Sequence, residues 1–484
     1  MKFPFLDAST LSQRKRFCEL ELVLNRRLAP ATYLGIVPIT ESQGQLALGG
    51  RGKIVEWVVK MHRLPDERML DRLVARRQVT RGQIQAVGDV LTDFFRVAGR
   101  SRSIDRHGTP EQVSALTLGN LEECRLFLGR LFSESDRTLL ESAYRQYLAL
   151  YQPVLLRRVK ERRIIDGHGD LRCENICLTN PPNVFDCVEF QPAFRCGDAV
   201  NDFSFLVMDL EFRGRDDLAR LLVKTYRHNM QDPTFESVLP FYKCHRSLVW
   251  GKVRGFAWLQ HPRTASGKAI RTLSKKHFRL AVRYAKQFAP PRLVVIGGLI
   301  GTGKSTLARS LAQSLGATWL RTDEIRLSAF AHLRRRGQGF AEGLYAPRVS
   351  ALVYQRLTQR AQALLRQGHS VICDGTFSQA AGREMLRQIA RQQGASFHLF
   401  ECTVPRATAL RRIAARYAKG TDLSEARPEH YEQLRAGFEP IHGWPASDWT
   451  RLSDNRPSSE TFQAALASLR QAWAVVAPPS HRHS

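Results

Sequence analysis

The chain has 484 residues, of which 73 are Lys or Arg and 45 are Asp or Glu, so its formal net charge is +28. Hydrophobic residues make up 43% and charged residues 24%, a balance that excludes intrinsic disorder as the main state. No apolar run reaches the ~18 residues of a membrane helix, the N-terminus lacks a signal-peptide pattern, and the cysteines form no CxxC pair, so we expect a cytoplasmic protein without a membrane partner.

This length predicts two or three globular units, at roughly 100 to 200 residues per domain. The clearest boundary is the Ala-Pro-Pro segment at 289–291, because two prolines end a helix and fix an extended link. We therefore predict one domain over residues 1–288, a second over 292–476 and a terminal tail over 477–484.

The first half begins with a predicted sheet and continues with helices. Apolar runs in residues 30–62 predict a small antiparallel region, with 54–61 as its best strand. Helical patterns dominate from residue 65 to residue 152. A loop-rich segment over 167–197 follows, and further helices extend to residue 288.

The loop-rich segment carries a phosphotransfer pattern. Asp170 lies two residues after His168, and Asn175 lies five residues after Asp170. In a kinase catalytic loop with this spacing, the Asp accepts the proton of the substrate hydroxyl and the Asn binds Mg²⁺. A second metal-binding carboxylate should follow after a short hairpin. Asp186 and Glu189 are both candidates, and the distance from Asn175 favours Glu189.

This pattern resembles the catalytic loop of aminoglycoside phosphotransferases and related small-molecule kinases. The resemblance rests on His168, Asp170 and Asn175 and spans roughly residues 30–285. It implies an α+β fold for the first domain, with two lobes as in protein kinases.

The same resemblance implies roles for residues outside the loop. Lys60 stands in a strand similar to the one whose Lys pairs with the α and β phosphates of ATP, and Glu67 is a candidate ion-pair partner. Asp198 and Asp202 resemble the structural Asp that braces the catalytic loop. One departure weakens the expectation of ATP binding: no G-x-G-x-x-G loop precedes Lys60.

The second half alternates short apolar runs with amphipathic helical patterns, which predicts an α/β arrangement with a parallel sheet between helices. Ligands bind beyond the carboxyl ends of the strands in such sheets, so the residues after each strand are the candidates for function. The predicted strands are residues 293–296, 318–321, 370–373 and 397–402.

The residues after the first of these strands fit the pattern G-x-x-x-x-G-K-[ST]. Glycines let backbone N–H groups wrap around phosphate oxygens, and the N-terminus of the following helix adds its positive dipole. Lys304 is expected to reach the β and γ phosphates, where it takes part in catalysis, and the Ser305 hydroxyl is expected to bind Mg²⁺. The predicted nucleotide-binding residues are Gly298, Gly301, Thr302, Gly303, Lys304, Ser305 and Thr306.

Two carboxylates follow other predicted strands. Asp323, directly after the second strand, can orient or deprotonate an acceptor hydroxyl, and Arg326 can hold an anionic substrate group. Asp374 ends the third strand in the place of a Walker B carboxylate that holds Mg²⁺. Helix capping is the alternative role for both Asp residues.

Arg412 and Arg416 lie one turn apart on a predicted helix after the last strand. Such arginines suit a lid that clamps ATP and neutralises the transferring phosphoryl group. A solvated basic face is the alternative in a chain so rich in Arg.

Together these features resemble the small P-loop kinases of the gluconate kinase, zeta toxin and polynucleotide kinase group, often labelled AAA-family ATPases. The specific parts are residues 298–306, 322–326 and 371–377, and the resemblance covers about residues 292–440. It implies a P-loop NTPase fold for the second domain. The order of the two halves resembles a bacterial group of fused predicted kinases, which implies the fusion but not the substrate.

These patterns predict an ATP-dependent phosphotransferase with two ATP and Mg²⁺ sites that acts on hydroxyl groups of small molecules. The basic charge favours an anionic acceptor. Two alternatives stay open: a first half that is a pseudokinase sensor regulating the second half, and a nucleic-acid 5′-end kinase whose basic surface holds a phosphate backbone. The spread of the basic residues over both halves, mostly as Arg, disfavours a nucleic-acid partner.

Overall fold

A computed structural model describes residues 2–3, 6–333, 343–419, 428–453, 455 and 457–473. The chain forms two units, of which one comprises Met1–Ser133 and Pro153–Tyr284 and the other Glu134–Gln152 and Ala285–Ser484. The predicted tail, 477–484, lies outside the described residues. Within the described ranges, no helix combines the length and the apolar character needed to cross a membrane.

The division into units differs from the predicted one in a single segment. The second unit resumes at Ala285, near the predicted boundary at 289–291, but it also includes Glu134–Gln152. In that segment Gln146 donates a hydrogen bond to the Ser370 hydroxyl at 2.9 Å. Local periodicity reports which face of a helix is apolar but not which distant segment covers that face.

The first unit combines short antiparallel sheets with a larger helical part. Its strands are β1 (Lys2–Phe3), β2 (Leu6–Asp7), β3 (Tyr33–Ser42), β4 (Gln45–Leu48), β5 (Lys53–Met61), β6 (Ile164–Asp166), β7 (Ile176–Cys177), β8 (Asn183–Val184) and β9 (Cys196–Asp198). Its helices are α1 (Leu11–Asn25), α2 (Leu70–Ala75), α3 (Arg81–Val97), α4 (Arg102–Asp105), α5 (Pro110–Glu123), α6 (Glu134–Lys160, shared with the second unit), α7 (Pro192–Arg195), α8 (Ala199–Phe212), α9 (Asp216–Met230), α10 (Phe235–Gln260) and α11 (Ala265–Phe288, also shared with the second unit).

The predicted antiparallel region is confirmed. β3 pairs with both β4 and β5 in antiparallel register, in the order β4-β3-β5. Helix α1, which packs on β5, begins at a capping box in which the Thr10 hydroxyl accepts the N–H of Gln13 at 3.2 Å. Arg14 of α1 pairs with Glu56 of β5 at 2.7 Å. A helix that packs on this sheet therefore precedes its strands in the chain.

Buried ion pairs join the loop-rich segment to the helices of the first unit. Arg158 is fully buried and pairs with Asp198 at 2.5 Å and with Asp232 at 2.8 Å. Asp198 also accepts the N–H of Val200 at 2.9 Å, which caps α8. Its contacts therefore anchor α8 rather than brace the predicted catalytic loop directly.

Replacing Arg158 should destabilise the first unit strongly. The Arg158→Met variant leaves two buried carboxylates without their counterion, and breaking such a buried pair costs roughly 3 to 5 kcal/mol. Urea unfolding followed by intrinsic fluorescence should show the first unit unfolding at lower urea. The control is Arg157→Met, whose exposed pair with Glu161 contributes about 0.5 kcal/mol or less. Equal unfolding midpoints for the two variants would contradict the anchoring role.

The second unit is a parallel sheet with helices on both faces, which confirms the predicted α/β arrangement and the P-loop NTPase type of fold. Its strands are β10 (Arg292–Gly297), β11 (Thr318–Arg321), β12 (Val371–Asp374), β13 (Ser396–Thr403) and β14 (Trp449–Ser453). Its helices, besides the first part of α6, are α12 (Lys304–Leu315), α13 (Thr322–Phe330), α14 (Pro347–Arg366), α15 (Ala380–Gln392), α16 (Arg406–Lys419), α17 (Tyr431–Ala436) and α18 (Ser458–Ala472).

The strand order is β11-β12-β10-β13-β14, with every neighbouring pair parallel. In β10, Leu293 and Val295 face a core that includes α14 and α15, while Val294 and Ile296 face a core that includes α12 and α18. Period-two alternation of this kind is what places apolar residues on both faces of a covered sheet. The four predicted strands are present, and β14 was missed because this short edge strand is polar and partly exposed.

The register brings three strand ends to one edge of the sheet. Ile296 of β10 and Arg321 of β11 both lie opposite Asp374 of β12. The segments that follow β10 and β11 therefore start at the level of Asp374. This edge is where an open α/β sheet binds its ligands.

Candidate active sites

The glycine-rich turn after β10 lies close to neighbouring backbone. A Cβ atom on Gly298 would lie 2.3 Å from the carbonyl oxygen of Cys402, and one on Gly301 would lie 2.7 Å from that of Ala409. The φ angles of Gly298, Gly301 and Gly303 are +132°, +78° and +84°. Glycine alone meets both the space and the conformation at the first two positions. The turn can thus present its N–H groups to an anion at the N-terminus of α12.

Lys304 occupies the first position of α12 and folds back on the turn. Its Nζ donates to the carbonyl oxygen of Leu299 at 2.6 Å, and the Thr302 hydroxyl donates to the same oxygen at 2.7 Å. Burial lowers the pKa of Lys304, while the charges of Asp374 and Asp323 raise it. The ammonium group is therefore bonded to the turn and lies within the influence of two carboxylates, and a phosphate oxygen could accept its hydrogen bond.

Asp374 is buried at the end of β12, and the neighbouring Ser305 side chain lowers the pKa of its carboxyl. Burial raises the pKa of this carboxyl, whereas Ser305, Lys304 and Arg321 lower it. Thr306, the next residue of α12, is exposed.

This pairing of a hydroxyl with a carboxylate fits Mg²⁺, which takes one or two protein oxygens and completes its shell with phosphate and water. Among the residues that the structure describes, no group of three or more His, Cys, Asp or Glu side chains is placed to hold a metal by itself. A metal at Ser305 and Asp374 would therefore depend on the nucleotide for its other ligands.

Asp323, in the first turn of α13, belongs to the same electrostatic environment. It is half-buried, and its charge raises the pKa of Lys304, Asp374 and Tyr354. The parallel pairing of β11 with β12 explains this proximity, because it sets Arg321 beside Asp374. The structure thus brings Asp323 to the edge at which the sequence placed it.

Arg326 is packed rather than presented to solvent. Its Nη1 donates to the Leu344 carbonyl at 2.6 Å and to the Ser350 hydroxyl at 3.2 Å, and its guanidinium lies 4.7 Å from the ring centre of Tyr345. The side chain is buried. These contacts fix α13 in the unit and do not favour the predicted role in holding an anionic substrate.

Helix α16 lies on the glycine-rich turn. Ile413 of this helix packs with Ile300 of the turn. Arg416 lowers the pKa of Lys304, so its positive charge lies near the amine. Arg412, one turn earlier, is half-buried. The structure therefore brings the helix of both predicted arginines to the turn, with Arg416 near Lys304.

In the first unit, Asp202 holds the backbone of the predicted catalytic loop. One carboxylate oxygen accepts the N–H of His168 at 2.6 Å, and the other accepts the N–H of Gly169 at 2.8 Å. Charge-assisted bonds of this kind are stronger than neutral ones. Asp202 thus makes the bracing contacts that the sequence assigned to Asp198 and Asp202 jointly.

Asp170 is engaged by two side chains. Arg172 donates from Nε and Nη2 to its two carboxylate oxygens, both at 2.8 Å. Asn175 donates from Nδ2 to one of these oxygens at 3.0 Å. The predicted pair of Asp170 and Asn175 is therefore in contact. The clamp by Arg172 was missed, although an Arg two residues after the Asp was visible in the sequence.

Asp186 lies within the electrostatic influence of Asp170. Burial raises the pKa of Asp186, and the charge of Asp170 raises it further. Burial also raises the pKa of Glu189, but the charges that act on it are those of Asp186 and Arg195. The charge of Asp170 thus acts on Asp186, and the preference for Glu189 that came from its distance along the chain stays a prediction.

The hairpin of β7 and β8 explains this outcome. It returns the chain so that the N–H of Phe185 donates to the Asn175 carbonyl at 3.0 Å, while the Phe185 carbonyl lies 2.9 Å from Nε2 of His168. Asp186 follows directly, with a φ of +65°. Residue count along the chain says nothing about this return.

Glu21 of α1 is a further acidic group near this site that the sequence did not single out. Burial raises its pKa to about 7, with added repulsion from Glu189 and Asp186. No motif could have signalled it, because α1 reaches these residues only through its packing in the folded unit.

Lys60 has no comparable surroundings. It lies in β5 opposite Gly35 of β3, its side chain is exposed, and it forms no ion pair with a residue that the structure describes. Glu67 is exposed in the short turn Asp66–Arg68. The structure does not join these two side chains as the sequence had suggested.

Comparison with known families and proteins gave a domain match in the second unit and relatives that align with most of the chain. A family model described as an AAA domain matches residues 293–441. The uncharacterized protein Rv2004c of Mycobacterium tuberculosis is 33% identical over 427 residues, which cover 87% of this chain and 82% of that protein. The uncharacterized protein Mb2027c of Mycobacterium bovis matches with the same values.

Solved structures match part of the chain. A putative kinase from Chloroflexus aurantiacus is 21% identical with a TM-score of 0.31, over 37% of this chain and 99% of that one. A gluconokinase from Sinorhizobium meliloti is 16% identical with a TM-score of 0.30, over 37% and 93%. The Mycobacterium tuberculosis APS kinase CysC, in complex with AMPPNP and APS, is 22% identical with a TM-score of 0.29, over 37% and 98%.

Adding one methyl group to the glycine-rich turn should weaken nucleotide binding. In Gly301→Ala, the new Cβ meets the Ala409 carbonyl at 2.7 Å on a backbone with positive φ, so the turn must move. We expect the dissociation constant for a fluorescent ATP analogue to rise roughly ten-fold or more, the equivalent of ~1.4 kcal/mol.

The matched control is Gly382→Ala in α15, where the new Cβ meets nothing within 4 Å and Ala favours the helix. This variant should bind the analogue as the unmodified chain does. Unchanged binding by Gly301→Ala would show that the turn does not hold the nucleotide.

Proposed function

We propose that this chain, which belongs to the family of the mycobacterial protein Rv2004c, is an ATP-dependent phosphotransferase whose second unit phosphorylates a hydroxyl group of a small molecule. The observation that carries the proposal is the convergence of four side chains behind a glycine-rich turn at one sheet edge: Lys304, Ser305, Asp374 and Asp323. This reaction requires an amine that binds phosphate, a hydroxyl and a carboxylate that bind the metal, and a second carboxylate that accepts the proton.

The nucleotide phosphates would lie at the N-terminus of α12, where backbone N–H groups and the helix dipole attract anions. Lys304 would exchange its bond to the Leu299 carbonyl for a bond to a phosphate oxygen. Ser305 and Asp374 would hold Mg²⁺, which when bound offsets the charge of the β and γ phosphates.

In the transfer step, the acceptor oxygen forms a bond to the γ-phosphorus while the bond to the β–γ bridging oxygen breaks and ADP leaves. Asp323 takes the proton of the hydroxyl group. Arg416, near Lys304, stabilises the negative charge of the transferring group. Correct placement of the two reactants supplies much of the acceleration.

For the first unit we propose the same chemistry in a protein-kinase-like arrangement. Asp170 would accept the proton of a hydroxyl group, and Asn175 and Asp186 would hold Mg²⁺. The contacts of Phe185 with the loop support this set, because they bring Asp186 toward Asp170. Arg172 donates one bond to each oxygen of Asp170, and the carboxylate keeps further lone pairs that can accept the proton.

A ligand sensor is the second candidate function for the first unit. Two observations favour it: Arg172 occupies both oxygens of Asp170, and Lys60 has no ion-pair partner in the described ranges. In that case the first unit binds nucleotide or metabolite without turnover and regulates the second unit.

Single substitutions should separate the two units. With labelled ATP and a metabolite extract as acceptor source, Lys304→Met should lower the yield of the phosphorylated products of the second unit by roughly 10²-fold, because the charge on the phosphates loses its partner. Asp323→Asn should lower the same products. Mass spectrometry identifies them, and an added oligonucleotide with a free 5′ hydroxyl would reveal an end-kinase activity.

The matched control is Arg309→Met, which removes an exposed cation from the same helix, α12. Its products should equal those of the unmodified chain. Asp170→Asn should remove a second set of products if the first unit is catalytic and should remove none if it is a sensor. ATP turnover at the normal rate in a chain that carries both Lys304→Met and Asp170→Asn would contradict the catalytic proposal.

A further inference from the structure

A cluster of cationic and aromatic side chains adjoins the catalytic loop of the first unit. We define this cation–aromatic cluster as Arg172, Phe212, Trp250, Arg254 and Lys276. We infer that it binds the anionic group, a phosphate or carboxylate, of the small molecule that the first unit recognises. The biological role of this site rests on the proposed function of that unit, whereas the binding of an anion to the cluster does not.

Arg172 links the cluster to the catalytic loop. Two of its nitrogens bond Asp170, and Nη1 bonds Glu174 at 2.5 Å. Its guanidinium carbon lies 3.9 Å from the ring centre of Trp250, in stacking geometry. An anion bound to the cluster at Arg172 would therefore be separated from the candidate base, Asp170, only by the guanidinium group of Arg172.

Arg254 is the member of the cluster that lacks an anionic partner among the described residues. Its guanidinium carbon lies 5.4 Å from the ring centre of Trp250 and 5.4 Å from that of Phe212. It forms no hydrogen bond or ion pair with any residue that the structure describes, and its Nε is buried without a partner. A guanidinium stays charged in proteins, so a half-buried one without an anion is costly to hold. An incoming oxyanion would remove that cost.

The carboxylates near Arg254 are already used. Glu174 is bonded by Arg172 and by Arg213 at 3.0 Å, and Asp209 is bonded by Arg213 at 3.1 Å. Asp209 also accepts the N–H of Cys173 at 3.0 Å. The two carboxylates whose charges act on Arg254 are thus bonded to other residues and not to Arg254.

The opposite side of Arg254 adds further positive charge. Lys276 lies 4.5 Å from the ring centre of Phe212 and donates to the Phe212 carbonyl. His277 stacks on the same ring at 3.8 Å, and both of its ring nitrogens are buried without a partner. Burial lowers the pKa of His277 to about 2, and the charges of Arg254, Lys276, Arg172 and Arg213 lower it further, so the ring is neutral. This surplus of cations attracts anions and repels polycations.

Guanidinium groups stacked on aromatic rings keep their in-plane N–H donors free for bidentate bonds to phosphate or carboxylate. Arg172 already uses its donors on Asp170 and Glu174, whereas Nε of Arg254 has no hydrogen-bond partner among the described residues. The site therefore suits an acidic metabolite, unlike the polycationic drugs of the aminoglycoside kinases that the loop resembles. An oxyanion on Arg172 would also compete with Asp170 for its donors and so free the candidate base.

The test uses inorganic phosphate as the probe and the full chain with Lys304→Met, so that the glycine-rich turn contributes little phosphate binding. Calorimetric titration measures the dissociation constant without ATP. We expect Arg254→Met to raise this constant roughly ten-fold, as the loss of a charge-assisted bond predicts. The matched control is Lys252→Met, which lies two residues earlier in α10, pairs with Glu123 and should leave the constant unchanged.

Thermal unfolding distinguishes this role from a structural one. Because Arg254 has no hydrogen-bond or ion-pair partner among the described residues and Met can keep the apolar contacts with Trp250 and Phe212, Arg254→Met should keep or raise the melting temperature, whereas a structural role predicts a lower one. Equal phosphate affinity in the Arg254→Met and Lys252→Met chains, or no binding in the Lys304→Met chain up to about 10 mM phosphate, would overturn the inference. Because no turnover is measured, phosphate binding without kinase activity would leave this site standing and count against the proposed function alone.

Discussion

The parallel register of β10, β11 and β12 is the constraint on which the candidate nucleotide site depends. It sets the end of β10 and the end of β11 opposite the end of β12, so that the glycine-rich turn, Asp374 and the start of α13 share one level. A slip of one residue would turn Asp374 to the other face of the sheet. The chemistry therefore depends on apolar side chains far from the site, because the two cores on either face of the sheet fix the register.

In the first unit, buried ion pairs rather than a sheet position the catalytic loop. Arg158 ties α6 to Asp198 at the start of α8. One turn later, Asp202 holds the backbone of the catalytic loop. Buried ions are costly unless each has its partners, so the loop and the helices must dock in one arrangement to satisfy them. Arg254 stands apart from this pattern as a half-buried cation that has no hydrogen-bond or ion-pair partner among the residues that the structure describes.

The net charge of +28 is best understood by asking what each cationic side chain contacts. Many arginines have structural tasks, such as Arg326 under Tyr345. Others lie at positions where an anion is expected, as Lys304 does beside the glycine-rich turn and Arg254 beside Trp250. A count of charges cannot separate these groups, because the distinction lies in which cations already have a partner.

The sequence by itself determined the parallel sheet of the second unit, its glycine-rich turn and the pairing of Asp170 with Asn175. These features depend on short-range spacing, which local sequence encodes. Only the tertiary structure decided that the hairpin brings Phe185 back to Asn175 and His168 and that α1 brings Glu21 near Asp186. It also decided that Arg172 bonds Asp170 and that residues 134–152 group with the second unit. The physical reason is that these contacts form only when the chain folds back on itself and its segments pack together. The spacing of residues along the sequence does not specify how the chain folds back or packs.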